Sequence, residues 1–102
     1  MKVFISVDME GISGVVNWDH TEYGKDGYER FRRLMTKEVN AAALGAYDAG
    51  ADEVIINDSH GRMRNVIIED LDPRVKLITG SSKPLSMMEG IGPEFDAAFF
   101  VG

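Results

Sequence analysis

The sequence has no cysteine in its 102 residues. That excludes a disulfide framework and any thiolate metal site, so a metal held here must use Asp, Glu and His. The absence also leans the chain towards a cytoplasmic location. Long apolar runs are missing as well. No stretch approaches the ~20 apolar residues that a membrane helix requires, and the run Val3-Phe4-Ile5-Ser6-Val7 stops at Asp8, too soon for a signal-peptide core. Positive charge is in the minority: eleven Lys and Arg stand against seventeen Asp and Glu, for a formal net charge of -6. A nucleic-acid groove needs clustered Lys and Arg to neutralise phosphates, so neither nucleic acid nor a membrane is an expected partner. A cation-binding site and plain solubility both agree with the acidic balance.

What is present is an ordinary globular composition, 44% apolar and 27% charged. The length suits one small domain, residues 1–102, with no internal repeat, low-complexity tract or linker. Val3 to Val7 is short, β-branched and nearly all apolar, which describes a parallel strand buried on both faces. Residues 8–14 read as a loop, and 17–27 as an irregular polar stretch. From 28 to 49 the period changes. Tyr28, Phe31, Met35, Val39, Ala42 and Ala46 recur at three- and four-residue steps, one apolar face of an amphipathic helix, with Gly50 as its stop. Val54-Ile55-Ile56 reads as a second buried strand. Asn65 is placed to cap a short helix over 66–71, which Asp72-Pro73 would end. Residues 75–79 form a third strand, 84–90 a short helix and 97–101 a fourth strand. This alternation predicts an α/β fold: a mostly parallel sheet with right-handed crossovers and helices on both faces, three layers in all.

In such sheets ligands bind beyond the carboxyl ends of the strands, which singles out 8–14 and 57–61. Asp8-Met9-Glu10 sets two carboxylates two residues apart, and in extended backbone residues i and i+2 point the same way. Carboxylates so close repel unless a cation or proton lies between them. The plainer reading makes Asp8 a loop cap and Glu10 a solvated acid. Asp58-Ser59-His60 ends the second strand. A neutral imidazole beside carboxylates suits a metal, provided its other ring nitrogen finds an acceptor; the alternative is a polar loop with a surface histidine. A Ser/His/Asp triad is disfavoured because sequence neighbours rarely provide that geometry. His20, in an irregular stretch, reads by default as a loop residue. Gly11-Ile12-Ser13-Gly14 lacks dinucleotide-binding spacing, and Met87-Met88 reads as core filling. The candidate metal ligands are therefore Asp8, Glu10 and His60.

These residues also carry a family likeness. The run Ser6-Val7-Asp8-Met9-Glu10-Gly11-Ile12-Ser13-Gly14 resembles the opening motif of the zinc-dependent D-aminopeptidases, peptidase family M55, the DppA type. Asn57-Asp58-Ser59-His60 resembles the family's second motif. Lys83-Pro84 with Met87, Glu89 and Gly90 resembles the following segment, and residues 99–102 the strand after it. The resemblance implies hydrolysis of the N-terminal residue from short D-amino-acid peptides at a di-zinc centre. It makes Asp8 the bridge between two zinc ions, with Glu10 and His60 each completing one ion's shell. It also implies a ring-like homo-oligomer. The family's remaining ligands, a histidine and a glutamate, and a histidine implicated in catalysis lie downstream of the strand that ends at Gly102. No catalytic residue is therefore expected within this chain. Residues 1–102 are expected to be the N-terminal metal-binding part of a domain truncated after about its fourth strand, inactive by itself.

Two other readings compete. A magnesium-dependent phosphohydrolase of the haloacid-dehalogenase type also begins with a strand ending in paired acids, the first being its nucleophile; here that is Asp8. The second acid is Glu10, however, and no basic phosphate-binding loop is evident. The other reading is a non-catalytic fragment or assembly unit, whose apolar last strand would make it self-associate. Oxygen and nitrogen ligands do not by themselves separate zinc from manganese or cobalt.

Overall fold

A computed structural model describes residues 1–102. Four strands form one all-parallel sheet in the order β3-β2-β1-β4: β1 (Lys2–Val7), β2 (Glu53–Asp58), β3 (Lys76–Ile78) and β4 (Ala97–Val101). The chain steps outwards from β1 to β3, then returns to add β4 on the free side of β1. The carboxyl ends of β1 and β4 thus flank the point where strand order reverses, where open α/β sheets form a crevice.

One helix, α1 (Tyr28–Asp48), crosses from β1 to β2. Its buried residues Tyr28, Phe31, Met35, Val39 and Ala46 are those read from the period. Ala42 sits at the margin of that face, and Thr36 and Ala43 take up the rest of it. They pack on Val3, Ile5 and Val7 of β1 and Val54 and Ile56 of β2, the alternate side chains of each strand, to form the main core. β1 is buried on both faces, as its nearly all-apolar run from Val3 to Val7 requires.

The opposite face has no α-helix. The expected helix over 84–90 is a single 3₁₀ turn, Ser86–Met88, within an irregular strap. The strap is anchored by polar bonds: Ser6 Oγ donates to the Met87 carbonyl (2.8 Å) and Asn57 Nδ2 to the Ser86 carbonyl (2.9 Å). Phe4 meets Phe95 edge-on beneath it. Met87 is 41% exposed, so it contributes its carbonyl rather than core volume. The expected helix over 66–71 is also one 3₁₀ turn, Ile68–Asp70, with Ile67 rather than Asn65 in the capping position and no side-chain cap. A single turn has too few residues to show a period, and Asn65 is bound elsewhere, as described below. The three-layer expectation thus holds for β-sheet and α1, with an irregular strap as the third layer. β4 lies at the sheet edge, and Phe100 on it is 70% exposed.

Candidate metal centre

The backbone ladder fixes both arms of the site. The Asp8 N–H donates to the Val101 carbonyl (2.8 Å), and the Ser59 N–H donates to the Val7 carbonyl (2.8 Å). Asp8 is thus held on the β4 side of β1, and His60 emerges on the β2 side, two residues past the end of β2. From these two stems the side chains converge. His60 Nδ1 lies 3.1 Å from Asp8 Oδ1 and 3.2 Å from Glu10 Oε2. One donor atom from each of Asp8, Glu10 and His60 falls within 4.8 Å of the other two. The group grades outwards: the side chains of His60, Asp8 and Glu10 are 12%, 31% and 44% exposed.

The His60 ring is held from behind. Its Nε2–H donates to the Thr21 carbonyl (2.6 Å). That bond fixes Nδ1 as the nitrogen facing the carboxylates, the arrangement in which a ligating histidine is oriented by an acceptor on its far side. Electrostatics follow the geometry. The hydrogen bond with Asp8 lifts His60; burial opposes it, while the Thr21 carbonyl and the charges of Glu10 and Asp8 add to it, and the imidazole is pushed up to about 9. Burial works to raise Asp8, but hydrogen bonds with His60, Glu10 and the Met9 N–H outweigh it and hold the carboxyl below its ordinary value. Without a metal, a proton on Nδ1 therefore occupies the place between the carboxylates that a cation would take. Two carboxylates and an imidazole suit zinc or a similar divalent ion.

A buried polar network supports the His60 loop. Asp58 is fully buried, and its carboxylate accepts from the Asn65 N–H (2.6 Å), the Val66 N–H (2.7 Å) and Asn65 Nδ2 (2.9 Å). Asn65 Nδ2 also donates to the His60 carbonyl (2.7 Å), and Tyr28 Oη–H donates to Asn65 Oδ1. Lys83 Nζ donates to the Asp58 carbonyl (2.7 Å) and to Asn57 Oδ1 (2.6 Å), clamping the end of β2 from the strap.

The three expected ligands are brought together, and the other candidates are not. His20 stacks on Phe31 with ring centroids 4.0 Å apart and accepts the Val16 N–H at Nδ1. Ser59 Oγ pairs with Ser6 Oγ at 2.7 Å, and the Asp58 carboxylate is spent on Asn65 and Val66, so no Ser/His/Asp triad forms. Sequence reasoning did not find the Thr21 carbonyl, because a backbone acceptor carries no residue-type signal. It misplaced Asn65, whose capping-type side chain serves a loop instead of a helix. Two cavities meet this group. One of about 570 Å³ has His60 in its wall, the other of about 350 Å³ has Glu10, and Trp18 and Thr21 line both.

Residues 1–102 match the sequence model of the Peptidase M55 family, described as D-aminopeptidase. A D-aminopeptidase of Bacillus subtilis (strain 168) is 46% identical over 102 residues, covering all of this chain and 37% of that protein. A solved structure, the Zn-dependent D-aminopeptidase DppA from Bacillus subtilis, described as a self-compartmentalizing protease, superposes with a TM-score of 0.98 at 46% identity, again over all of this chain and 37% of that one. The chain thus spans little more than a third of the length of these relatives. The phosphohydrolase reading finds no support among them. On a match that runs along its whole length, the chain belongs to the D-aminopeptidase family, Peptidase M55.

Proposed function

We propose that this chain supplies one side of the metal centre of a zinc-dependent D-aminopeptidase, with Asp8, Glu10 and His60 as ligands. The observation that carries the reading is the convergence of three donors within 4.8 Å of one another, from two strand ends, in a chain of this family. Nδ1 of His60 is the ligating nitrogen and the Thr21 carbonyl its orienting acceptor. A two-ion centre would use Asp8 as its shared carboxylate and would take one ion each at Glu10 and His60. Zinc, when bound, supplies an acidified water and polarisation of the scissile carbonyl. The chain's own part is to bring the donors together, to orient His60, and to wall the adjoining cavities where a short peptide lies. Three donors do not complete a two-ion set, so the remaining ligands and the catalytic group come from outside residues 1–102.

The similarity to a self-compartmentalizing protease supports a homo-oligomer for this protein too, and we infer a ring-like form. No helix is long and apolar enough to cross a membrane. The test is metal content and hydrolysis of D-Ala-containing dipeptides by the native-length protein, beside Asp8→Ala. Loss of about one or more zinc per subunit together with activity is expected. Unchanged hydrolysis by Asp8→Ala would falsify the assignment.

A further inference from the structure

The larger cavity adjoins the ligand group only through His60, and two residues further on the chain reaches Arg62. Gly61 makes that turn, in left-handed backbone at φ 54°. The Arg62 guanidinium lies over the Tyr23 ring, 3.5 Å from its centroid. Arg62 takes part in none of the ion pairs of the fold, although Glu22 lines the same cavity. A guanidinium stacked on an aromatic face keeps its planar fork of N–H groups directed outwards, preorganised for a carboxylate. The cavity volume of about 570 Å³ is that of a small-ligand site, far short of a groove for a long polypeptide.

Of the ligand group only His60 lines this cavity, and Arg62 lines it too. A peptide whose scissile bond lies at the metal ligands extends its C-terminal part into this cavity, and in a short peptide that part ends in a carboxylate. We propose that Arg62 is a specificity-determining residue that receives the C-terminal carboxylate of a short peptide, with Tyr23 bracing its guanidinium. The proposal rests on the aminopeptidase reading and adds to it the reason for short substrates. A long peptide or a blocked C-terminus places no charge at Arg62.

The test compares D-Ala-D-Ala with its C-terminal amide as substrates of the zinc-loaded, native-length protein. The free acid should be preferred roughly tenfold in kcat/KM, mostly through KM, the size of one charge-assisted bond at an exposed guanidinium. Arg62→Gln should abolish that preference by lowering the rate on the acid alone, and Arg62→Lys should restore part of it. Equal losses on acid and amide in Arg62→Gln would show that the residue only braces its loop, and overturn the proposal. So would an absence of acid preference in the unaltered protein that still cleaves the amide. If neither substrate is cleaved, the aminopeptidase reading itself fails and this proposal with it.

Discussion

The two nitrogens of His60 divide its work. Nε2 is committed to the Thr21 carbonyl, and Nδ1 is left to a proton or a metal. With a pKa pushed up to about 9, the metal-free ring is protonated at neutral pH. Zinc binding must therefore release that proton. Calorimetry in buffers of differing ionisation enthalpy should detect about one proton released per His60 at pH 7, and affinity should rise with pH towards 9. Zero release would contradict the geometry. Stability of the metal-free protein follows from the same shift. A folded-state pKa raised above the unfolded 6.5 adds stability that is whole below 6.5 and is lost as pH rises through about 9. Melting in chelator should thus fall from pH 6 to pH 9.5, and His60→Gln should flatten that slope. Asp58 is a different kind of residue. Its buried carboxylate holds three donors, and Asp58→Ala would leave the Asn65 and Val66 N–H groups without partners and take from Asn65 Nδ2 one of its two acceptors. A cost of about 3 kcal/mol or more is expected in denaturant unfolding, measurable without zinc.

Among the elements, β1 and α1 place the site and were the most legible in the sequence. An apolar pentad and a three-four period each commit many residues to one pattern, and burial enforces it. Met35, fully buried in the middle of α1, shows the strength of that constraint. Met35→Ala should destabilise by about 2–5 kcal/mol in chemical denaturation, while Leu44→Ala on the outer side of the helix should cost far less. The convergence of Asp8, Glu10 and His60 was legible too, because it follows from two strand ends on one sheet edge. The supporting parts were not. The Thr21 carbonyl belongs to a turn that any polar sequence can make, and the strap over 83–95 gives no periodic signal because its bonds run through backbone carbonyls of Ser86 and Met87. Asn65 was read as a helix cap on residue type alone. Its place is fixed by Asp58, which precedes it by seven residues and lies across a loop.

At the scale of the whole molecule, the sheet has an open side. β4 pairs only with β1, and Phe100 on it is 70% exposed. An uncovered apolar edge strand is a template for pairing with another chain. The 102-residue chain should therefore self-associate at micromolar concentration in sedimentation experiments, and Phe100→Lys should shift it towards monomer. A monodisperse monomer of the unaltered chain would refute this. The polarity of the molecule is equally plain: the acidic donors and both adjoining cavities gather beyond the carboxyl ends of β1 and β2. The central claim is that this edge holds zinc through Asp8, Glu10 and Nδ1 of His60. The measurement that meets it most directly is anomalous diffraction at the zinc edge from crystals of the native-length protein grown with zinc. The account predicts zinc peaks that between them contact all three residues and that meet His60 at Nδ1, not Nε2. A zinc bound elsewhere, or through the nitrogen that here faces Thr21, would contradict it.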